Sequence, residues 1–279
     1  MKHFFVVGAA KAATTSMQHY LDQHPQIAMC GMRWTRYFHF NGPKPDLEGF
    51  ASTAGSAFLR ESQRRYNAMR NTAFKGNVQA YLALWESDEN TLQAGESSPT
   101  YLYDRAVPSR INEQFNDARI VIILRNPVDR AFSHFKMDVR RKWIPPTSFQ
   151  EALSLEPAFI DNFWWGTRHY LRQGLYFSHL RRYLDVFGED RVKILRYEDL
   201  KAGPHAFMDT ITNFLSVEQY SFDLSKTHNQ SESEWEQNAD ANFEGNRRLR
   251  LRLLDFYHAD IIRTAKITGL DLSDWLTLR

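Results

Sequence analysis

The chain has 279 residues, of which 43% are hydrophobic, 24% charged and 14% aromatic, a composition that is typical of a soluble globular protein and excludes a disordered chain. Its formal net charge is +2 and it has no apolar run of membrane-spanning length, so neither nucleic-acid nor membrane binding is predicted. The single cysteine, Cys30, excludes an internal disulfide and a metal site of several cysteines, which favours a reducing, cytoplasmic compartment.

Strands and helices alternate in the first part of the chain. His24-Pro25 ends the first helix, because a residue before proline avoids the helical region. No leader peptide is predicted, since the first strand begins almost at the first residue. In chain order, the pattern predicts a buried strand, a helix, a short strand, a surface loop and two helices, over residues 3–7, 14–23, 27–29, 40–55, 56–70 and 77–87.

The clearest strand is RIVIILR, residues 119–125, an apolar run of the kind found in parallel strands that are buried on both faces. Asn126-Pro127 follows as a helix start, with asparagine as N-cap and proline at the first helical position. The remaining predicted strands and helices lie at 92–96, 174–187, 192–197, 205–215 and 246–266. The alternation predicts a single α/β domain over residues 1–279, with a three-layer parallel sheet that binds ligands at the carboxyl ends of its strands.

A possible phosphate-binding loop lies at residues 6–16, VVGAAKAATTS, where a strand runs into small residues, one lysine and several hydroxyls. Amides at a helix start favour an anion, and Lys11 adds charge. The kinase signature G-x-x-x-x-G-K-[ST] is not met, because Ala13 and Thr14 stand at its second glycine and its lysine, counting from Gly8. The pattern predicts either a phosphate site with a displaced lysine or a simple tight connection.

A second anion site is predicted at the end of the 119–125 strand. Arg125 ends this strand and Ser133 lies on the next helix, so that a guanidinium and a hydroxyl can clamp a phosphate there. Residues 119–142 contain seven Lys/Arg and two Asp, a local charge of +5, while the rest of the chain sums to −3. Such a local cluster favours a small anionic ligand. Two anion sites at adjacent strand ends suit a nucleotide phosphorylated at both the 5′ and 3′ positions.

Four segments, in this order, resemble the sulfotransferases that use 3′-phosphoadenosine-5′-phosphosulfate (PAPS), especially the bacterial and heparan-type carbohydrate enzymes. The family's 5′-phosphosulfate loop, G-x-x-K-[AS]-G-T-[TS], is similar to VVGAAKAATTSMQHYLDQHPQI, and its G-E-x-[ST]-P-x-Y segment is similar to GESSPTYL. Its 3′-phosphate motif is similar to IVIILRNPVDRAFSHF. Its R-G-x-Y helix and following strand are similar to YLRQGLYFSHLRRYLDVFG and VKILRYEDL.

The resemblance implies a fold of the P-loop nucleotide-binding type and transfer of a sulfuryl group from the co-substrate PAPS to an acceptor hydroxyl. It implies that Arg125 and Ser133 hold the 3′-phosphate. It also implies that Lys11 meets the bridging oxygen of the phosphosulfate, so that no metal is needed. The residues implied to grip the phosphosulfate are Lys11, Ala12, Ala13, Thr14, Thr15 and Ser16.

The chain departs from the family at CGMRWTRYF, residues 30–38, where relatives commonly have P-P-x-K-E-x-H-F-F. Arg33 aligns with the family's lysine, and Arg36 aligns with its histidine. Trp34 aligns with the glutamate that acts as general base in the family. Arg33 is expected to stabilise the leaving oxygen. Tryptophan cannot remove a proton, so the family's base is not carried over.

Three alternatives are open for the missing base: His39, Glu96 and a residue that the sequence does not identify. His39 can titrate near neutral pH, and we predict it to be catalytic together with Lys11 and Arg33. Glu96 is the second candidate, although a structural role in holding a loop amide or an arginine is favoured for it. At Ala13, which replaces a family glycine, we expect helical backbone and therefore little loss.

Three functions remain open from the sequence: a PAPS-dependent O-sulfotransferase, a nucleotide-binding protein that has lost catalysis with its glutamate, and a P-loop kinase, which Thr14 disfavours. The expected acceptor is a small molecule or a sugar, because a large ring at Trp34 favours a ring-shaped acceptor over a charged polysaccharide. The aromatic residues that can line its pocket are Trp34, Tyr37, Phe38, Trp143, Trp164 and Trp165.

Overall fold

A computed structural model gives the structure of residues 1–32, 34–40, 78–156, 169–225 and 234–278. Several sequence-based predictions lie outside these described residues: the loop after Phe40, the helix at 56–70, and the side chains of Arg33, Trp164 and Trp165.

Five parallel strands of the described chain form a single sheet. They are paired in the order β2-β3-β1-β4-β5, and their bounds are β1 Lys2–Gly8, β2 Ile27–Met29, β3 Gln93–Ser97, β4 Arg119–Leu124 and β5 Val192–Arg196. Residues 120–124 of β4 are fully buried, as their apolar run requires. The predicted α/β fold with a parallel sheet is therefore confirmed.

Helices flank this sheet. Their bounds are α1 Thr14–Leu21, α2 Tyr37–Phe40, α3 Val78–Leu82, α4 Val107–Gln114, α5 Pro127–Arg140, α6 Phe149–Leu155, α7 Tyr176–Phe187, α8 Tyr197–Ala202, α9 Pro204–Leu215, α10 Glu234–Gly245 and α11 Arg247–Thr268. Helix α1 packs on β2 and β3, whereas α7 packs on α4, β5 and α11. Among the helices described here, none is long and apolar enough to cross a membrane.

Hydrophobic periodicity missed α4, α6, α8 and α10, and α3 is shorter than the helix predicted at 77–87. Helix α6 had a local signal, since Ser148 and Glu151 form a capping box at its start. Helix α4 has Pro108 in its first turn and few apolar positions, so its helical state depends on packing against α7.

The predicted start of α5 is confirmed in detail. The Asn126 side chain accepts hydrogen bonds from the amides of Val128 (3.0 Å) and Asp129 (3.4 Å), and Pro127 is the first helical residue. The cap turns the chain directly from β4 into α5. As a result, Arg125 lies at the carboxyl edge of the sheet, with the side chains of α5 beside it.

Candidate functional site

The loop after β1 is held tightly against its neighbours. A Cβ on Gly8 would lie 2.7 Å from Cβ of Leu102 and 3.2 Å from the Pro99 carbonyl, so only glycine fits there. The Ala9 amide donates to the Ile123 carbonyl at 2.6 Å, and the Ala10 amide donates to Tyr103 Oη at 2.9 Å. The loop is thereby attached both to β4 and to the turn that follows β3.

The backbone of this loop is left-handed at Lys11 (φ 74°) and at Ala13 (φ 60°). Ala13 is the residue before α1 rather than part of the helix, so the expectation of helical backbone there was wrong. A left-handed conformation costs a residue with a Cβ roughly 1–2 kcal/mol, which explains why glycine is usual at this position. The loop's attachments on both sides hold this strained conformation.

The amino end of α1 is open to an anion. No side chain of the described residues caps this helix, so the amides of its first turn have no partner within it. Thr14 is buried, while Thr15 and Ser16 are half-buried on the same turn. Amides, hydroxyls and the positive end of the helix dipole can therefore act together on one ligand.

Cations gather around this helix end. The pKa of Lys11 is lowered to about 8, mainly by burial and also by the nearby charges of Arg140, Arg125 and Arg141, while Asp138 opposes the change. Repulsion among these cations disfavours the charged lysine in the free protein. A bound anion would relieve that repulsion, so the geometry and the charge both suit a phosphate or phosphosulfate.

Arg125 connects the two predicted anion sites. Its Nη1 donates to the Lys11 carbonyl at 3.1 Å, and its guanidinium lies 4.9 Å from the centroid of the Tyr197 ring. Tyr176 Oη donates to the Arg125 carbonyl at 2.8 Å. Ser133 is half-buried on α5, eight positions along the chain. The structure thus places Arg125 directly beside the Lys11 loop and at the start of the helix that carries Ser133.

Trp34 lies beside Arg141 of the basic cluster. Its amide donates to the Ser97 carbonyl at the end of β3, at 3.3 Å. The Arg141 guanidinium lies 5.3 Å from the centroid of the Trp34 ring and 4.9 Å from that of Trp143. A cation between two half-buried indoles joins the end of α5 to the segment after β2.

Two of the aromatic residues expected to line a pocket belong to the core instead. Tyr37 is 4% exposed and Phe38 is 1% exposed. Tyr37 stacks on Tyr81 with the ring centroids 3.9 Å apart. Of the residues in that prediction that the structure describes, only Trp34 and Trp143 are partly exposed.

Glu96 is fully buried at the end of β3 and is surrounded by hydroxyl groups. It accepts hydrogen bonds from Thr35 Oγ1 (2.7 Å), Ser98 Oγ (2.6 Å) and Tyr81 Oη. Burial raises the pKa of this carboxyl group, although the hydroxyl donors oppose the change. These contacts agree with a structural role, because Glu96 ties the segment containing Thr35 to the sheet edge.

His39 is buried on α2 with both ring nitrogens engaged. Nδ1 lies 2.9 Å from Asp104 Oδ2, and Nε2 lies 2.9 Å from Thr100 Oγ1. Burial lowers the pKa of His39 to about 4, against the raising effect of Asp104. The imidazole is therefore neutral at neutral pH. An acceptor cannot touch it directly, since its side chain has no solvent-exposed surface.

Comparison with known proteins decides the family. The model of the sulfotransferase family matches residues 3–222. The chain belongs to the sulfotransferase family. The crystal structure of a sulfotransferase from Alicyclobacillus acidocaldarius covers 99% of both chains, with a TM-score of 0.75 and 28% sequence identity. The resemblance read from the four sequence segments is thus confirmed.

Curated relatives of this chain include enzymes with heparan sulfate in their names. Human bifunctional heparan sulfate N-deacetylase/N-sulfotransferase 3 is 26% identical over 239 residues, which are 83% of this chain and 24% of that protein. Mouse heparan sulfate glucosamine 3-O-sulfotransferase 3B1 is 22% identical over 227 residues, 81% of this chain and 49% of that protein. The chain spans only a quarter to a half of the length of these two relatives.

The structure adds cations that motif matching did not assign to the site. Arg36 lies two residues after Trp34, and burial together with Arg141 lowers its pKa to about 10. The sequence analysis identified a basic cluster in residues 119–142, which includes Arg140 and Arg141. It did not assign these two arginines to the site. A count of charges along the chain could find the cluster, but not its position beside Lys11.

Proposed function

We propose that this sulfotransferase transfers a sulfuryl group from PAPS to a hydroxyl group of a small molecule or sugar. The observation that supports this most directly is the position of Lys11, at the uncapped start of α1 with Arg125, Arg140 and Arg141 around it. That arrangement offers amides, hydroxyls and the positive charges of Lys11, Arg125 and Arg141 to one multiply charged anion, whereas Arg140 is paired with Glu236.

The residues fit the two ends of the nucleotide. In our proposal the amides of Ala12 and Ala13 and the hydroxyls of Thr14, Thr15 and Ser16 bind the 5′-phosphosulfate, while Arg125 and Ser133 bind the 3′-phosphate. PAPS would supply an activated sulfuryl group, which passes to the acceptor oxygen in line with the bond that breaks. Lys11 acts where charge develops, on the bridging oxygen, and we keep Arg33 as a second group that stabilises this charge.

The acceptor side is proposed to lie at Trp34 and Trp143. Both indoles are half-buried beside the basic cluster, and flat apolar rings with a cation between them suit a ring-shaped acceptor. We propose an oxygen acceptor, although the relatives include an N-sulfotransferase. A single domain over 1–279, a cytoplasmic location and the absence of a resident metal stay predictions.

The function can be tested by incubating the purified protein with PAPS and a panel of acceptors. The panel contains 4-nitrophenol, 1-pentanol, N-acetylglucosamine, glucosamine and a heparan-like oligosaccharide. We expect release of 3′-phosphoadenosine-5′-phosphate (PAP) with at least one hydroxyl acceptor and without added magnesium. Tight PAP binding without turnover of any acceptor would favour a nucleotide-binding protein, and magnesium-dependent ATP turnover would favour a kinase.

Affinity for PAP is expected to fall as the pH rises above about 8. The Lys11 ammonium has a pKa of about 8 in the free protein, and only its protonated form attracts phosphate. A bound phosphate raises this pKa, so binding weakens by up to about tenfold per pH unit between the free and bound values. Calorimetric titrations across this range give the slope. The same slope in Lys11→Ala would contradict the assignment.

Trp34→Glu is expected to lower turnover of the preferred acceptor several-fold, although it restores the family's usual residue. The substitution removes one of the two rings that contact Arg141 and thereby alters the proposed acceptor pocket. PAP affinity should stay within about threefold, because the nucleotide contacts are separate. Steady-state kinetics and calorimetry measure the two effects, with Trp34→Phe as the control that keeps a ring. Unchanged turnover, or a gain with the heparan-like oligosaccharide, would show that Trp34 is a bystander.

A further inference from the structure

Thr100, His39 and Asp104 form a hydrogen-bonded chain at the edge of the candidate site. A carboxylate only accepts hydrogen bonds, so Asp104 takes the Nδ1–H of His39 across 2.9 Å. Nε2 of that neutral ring is then an acceptor, and the Thr100 hydroxyl at 2.9 Å donates to it. Asp104 is itself anchored, since its Oδ1 accepts from the Ala106 amide at 2.8 Å.

This chain of three residues lies against the phosphosulfate loop. Thr100 is flanked by two contacts to that loop. In the first contact, the Pro99 carbonyl and the Leu102 side chain pack close to Gly8. In the second contact, Tyr103 Oη accepts a hydrogen bond from the Ala10 amide at 2.9 Å. The Thr100 backbone is therefore fixed close to the residues that precede Lys11.

Thr100 is the most exposed of the three residues, and His39 in the middle is the most buried. The His39 side chain has no exposed surface, Asp104 is 9% exposed, and Thr100 is half-buried. Among the described residues, the Thr100 hydroxyl is within hydrogen-bonding distance of Nε2, so a proton can reach Nε2 through that hydroxyl. Thr100 keeps its oxygen lone pairs available for a second hydroxyl while it donates to His39.

Burial keeps the His39 ring neutral, so its Nε2 stays a hydrogen-bond acceptor toward Thr100. Arg36 and Arg110 oppose a positive charge on the ring, and Asp104 favours one. Tyr101 packs edge-to-face on the imidazole, with the ring centroids 4.9 Å apart. Arg110 Nη1 also donates to the Phe38 carbonyl at 2.6 Å, which fixes α2 on α4.

We propose that Thr100 is a catalytic residue that relays the acceptor's proton to His39, in place of the glutamate that Trp34 replaces. As the acceptor oxygen bonds to sulfur, its proton passes to Thr100 Oγ1, and the Thr100 proton passes to His39 Nε2. The sulfur–oxygen bond to the 5′-phosphate breaks, and its electron pair stays on the PAP phosphate. Asp104 stabilises the imidazolium, which later returns its proton through Thr100. This inference rests on the proposed sulfuryl transfer.

The test compares Thr100→Val with Thr100→Ser on two acceptors, 1-pentanol and 4-nitrophenol. A weakly acidic alcohol needs a base, whereas 4-nitrophenol is far more acidic, is about half ionised at neutral pH, and therefore needs little help from a base. We expect Thr100→Val to lower kcat with 1-pentanol by roughly 100-fold, the lower end of what a positioned proton acceptor contributes. We expect a change of less than about threefold with 4-nitrophenol. Thr100→Ser should restore most of the alcohol activity, because it keeps the hydroxyl.

A control and a double variant separate the relay from a structural effect. Thr210→Val removes a hydroxyl that donates to the Ala206 carbonyl within α9, and it should leave both activities unchanged. Thr100→Val combined with His39→Gln should be about as slow on 1-pentanol as either single variant, because the two residues act as a unit.

The outcomes also separate the relay from the proposed function. If the wild-type protein releases no PAP with any acceptor, the proposed function fails and the relay fails with it. If the wild type is active and Thr100→Val keeps full activity on 1-pentanol, the relay alone is wrong. Equal losses on both acceptors, with PAP affinity and melting temperature unchanged, would also overturn it. Calorimetry with PAP shows whether a variant remains folded and able to bind.

Discussion

Replacing Lys11 with alanine is expected to lower kcat by roughly 100- to 1000-fold, the loss seen when one preorganised donor to developing charge is removed. Affinity for PAP should fall much less, by about tenfold or less, because in the proposed site the loop amides and the hydroxyls of Thr14, Thr15 and Ser16 bind the same phosphate. The physical reason is that charge grows on the bridging oxygen only as the bond to sulfur breaks. Single-turnover PAP release and calorimetry with PAP measure the two quantities.

Lys266→Ala is the matched control for Lys11→Ala, since Lys266 is an exposed lysine in the last turn of α11. It should change neither turnover nor PAP affinity. Full activity in Lys11→Ala would remove the lysine from the mechanism. An equal loss of turnover and PAP affinity would show that it contributes ground-state binding alone.

Arg125→Ala is expected to weaken PAP binding by roughly tenfold to 100-fold, because a hydrogen bond to a charged group contributes about 1.5–3 kcal/mol. The loss should be smaller for adenosine 5′-phosphosulfate, which has no 3′-phosphate. Part of the loss comes from the loop, since Arg125 also donates to the Lys11 carbonyl. That part should affect both nucleotides, whereas the difference between them reports the 3′-phosphate.

Arg181→Ala provides the control for Arg125→Ala, because Arg181 lies exposed on α7 in an ion pair with Asp185 and away from the site. PAP affinity should be the same as in the wild type. If Arg125→Ala weakens both nucleotides equally, Arg125 supports the loop and does not contact the 3′-phosphate. Arg125→Lys keeps the charge but loses the planar fork, so it should restore only part of the affinity.

The sequence by itself determined the strands, the main helix starts and the family. These features depend on residues close together in the chain: the apolar run of β4, the N-cap Asn126 before Pro127, and the strand–loop–helix pattern around Lys11. Burial of an apolar run and capping of a helix act over a few residues, so short patterns are sufficient to identify them. The departure at Trp34 was also visible as a single substitution in a motif.

Only the tertiary structure decided how separate segments meet. The left-handed backbone of Ala13 follows from the attachment of its loop to β4 and Tyr103, which no local propensity encodes. The placement of Arg141 between Trp34 and Trp143 joins segments more than 100 residues apart. The hydrogen bonds of His39 to Thr100 and Asp104 depend on α2 packing beside the turn after β3. Such contacts are long-range in sequence, and their geometry is set by the packing of the whole domain.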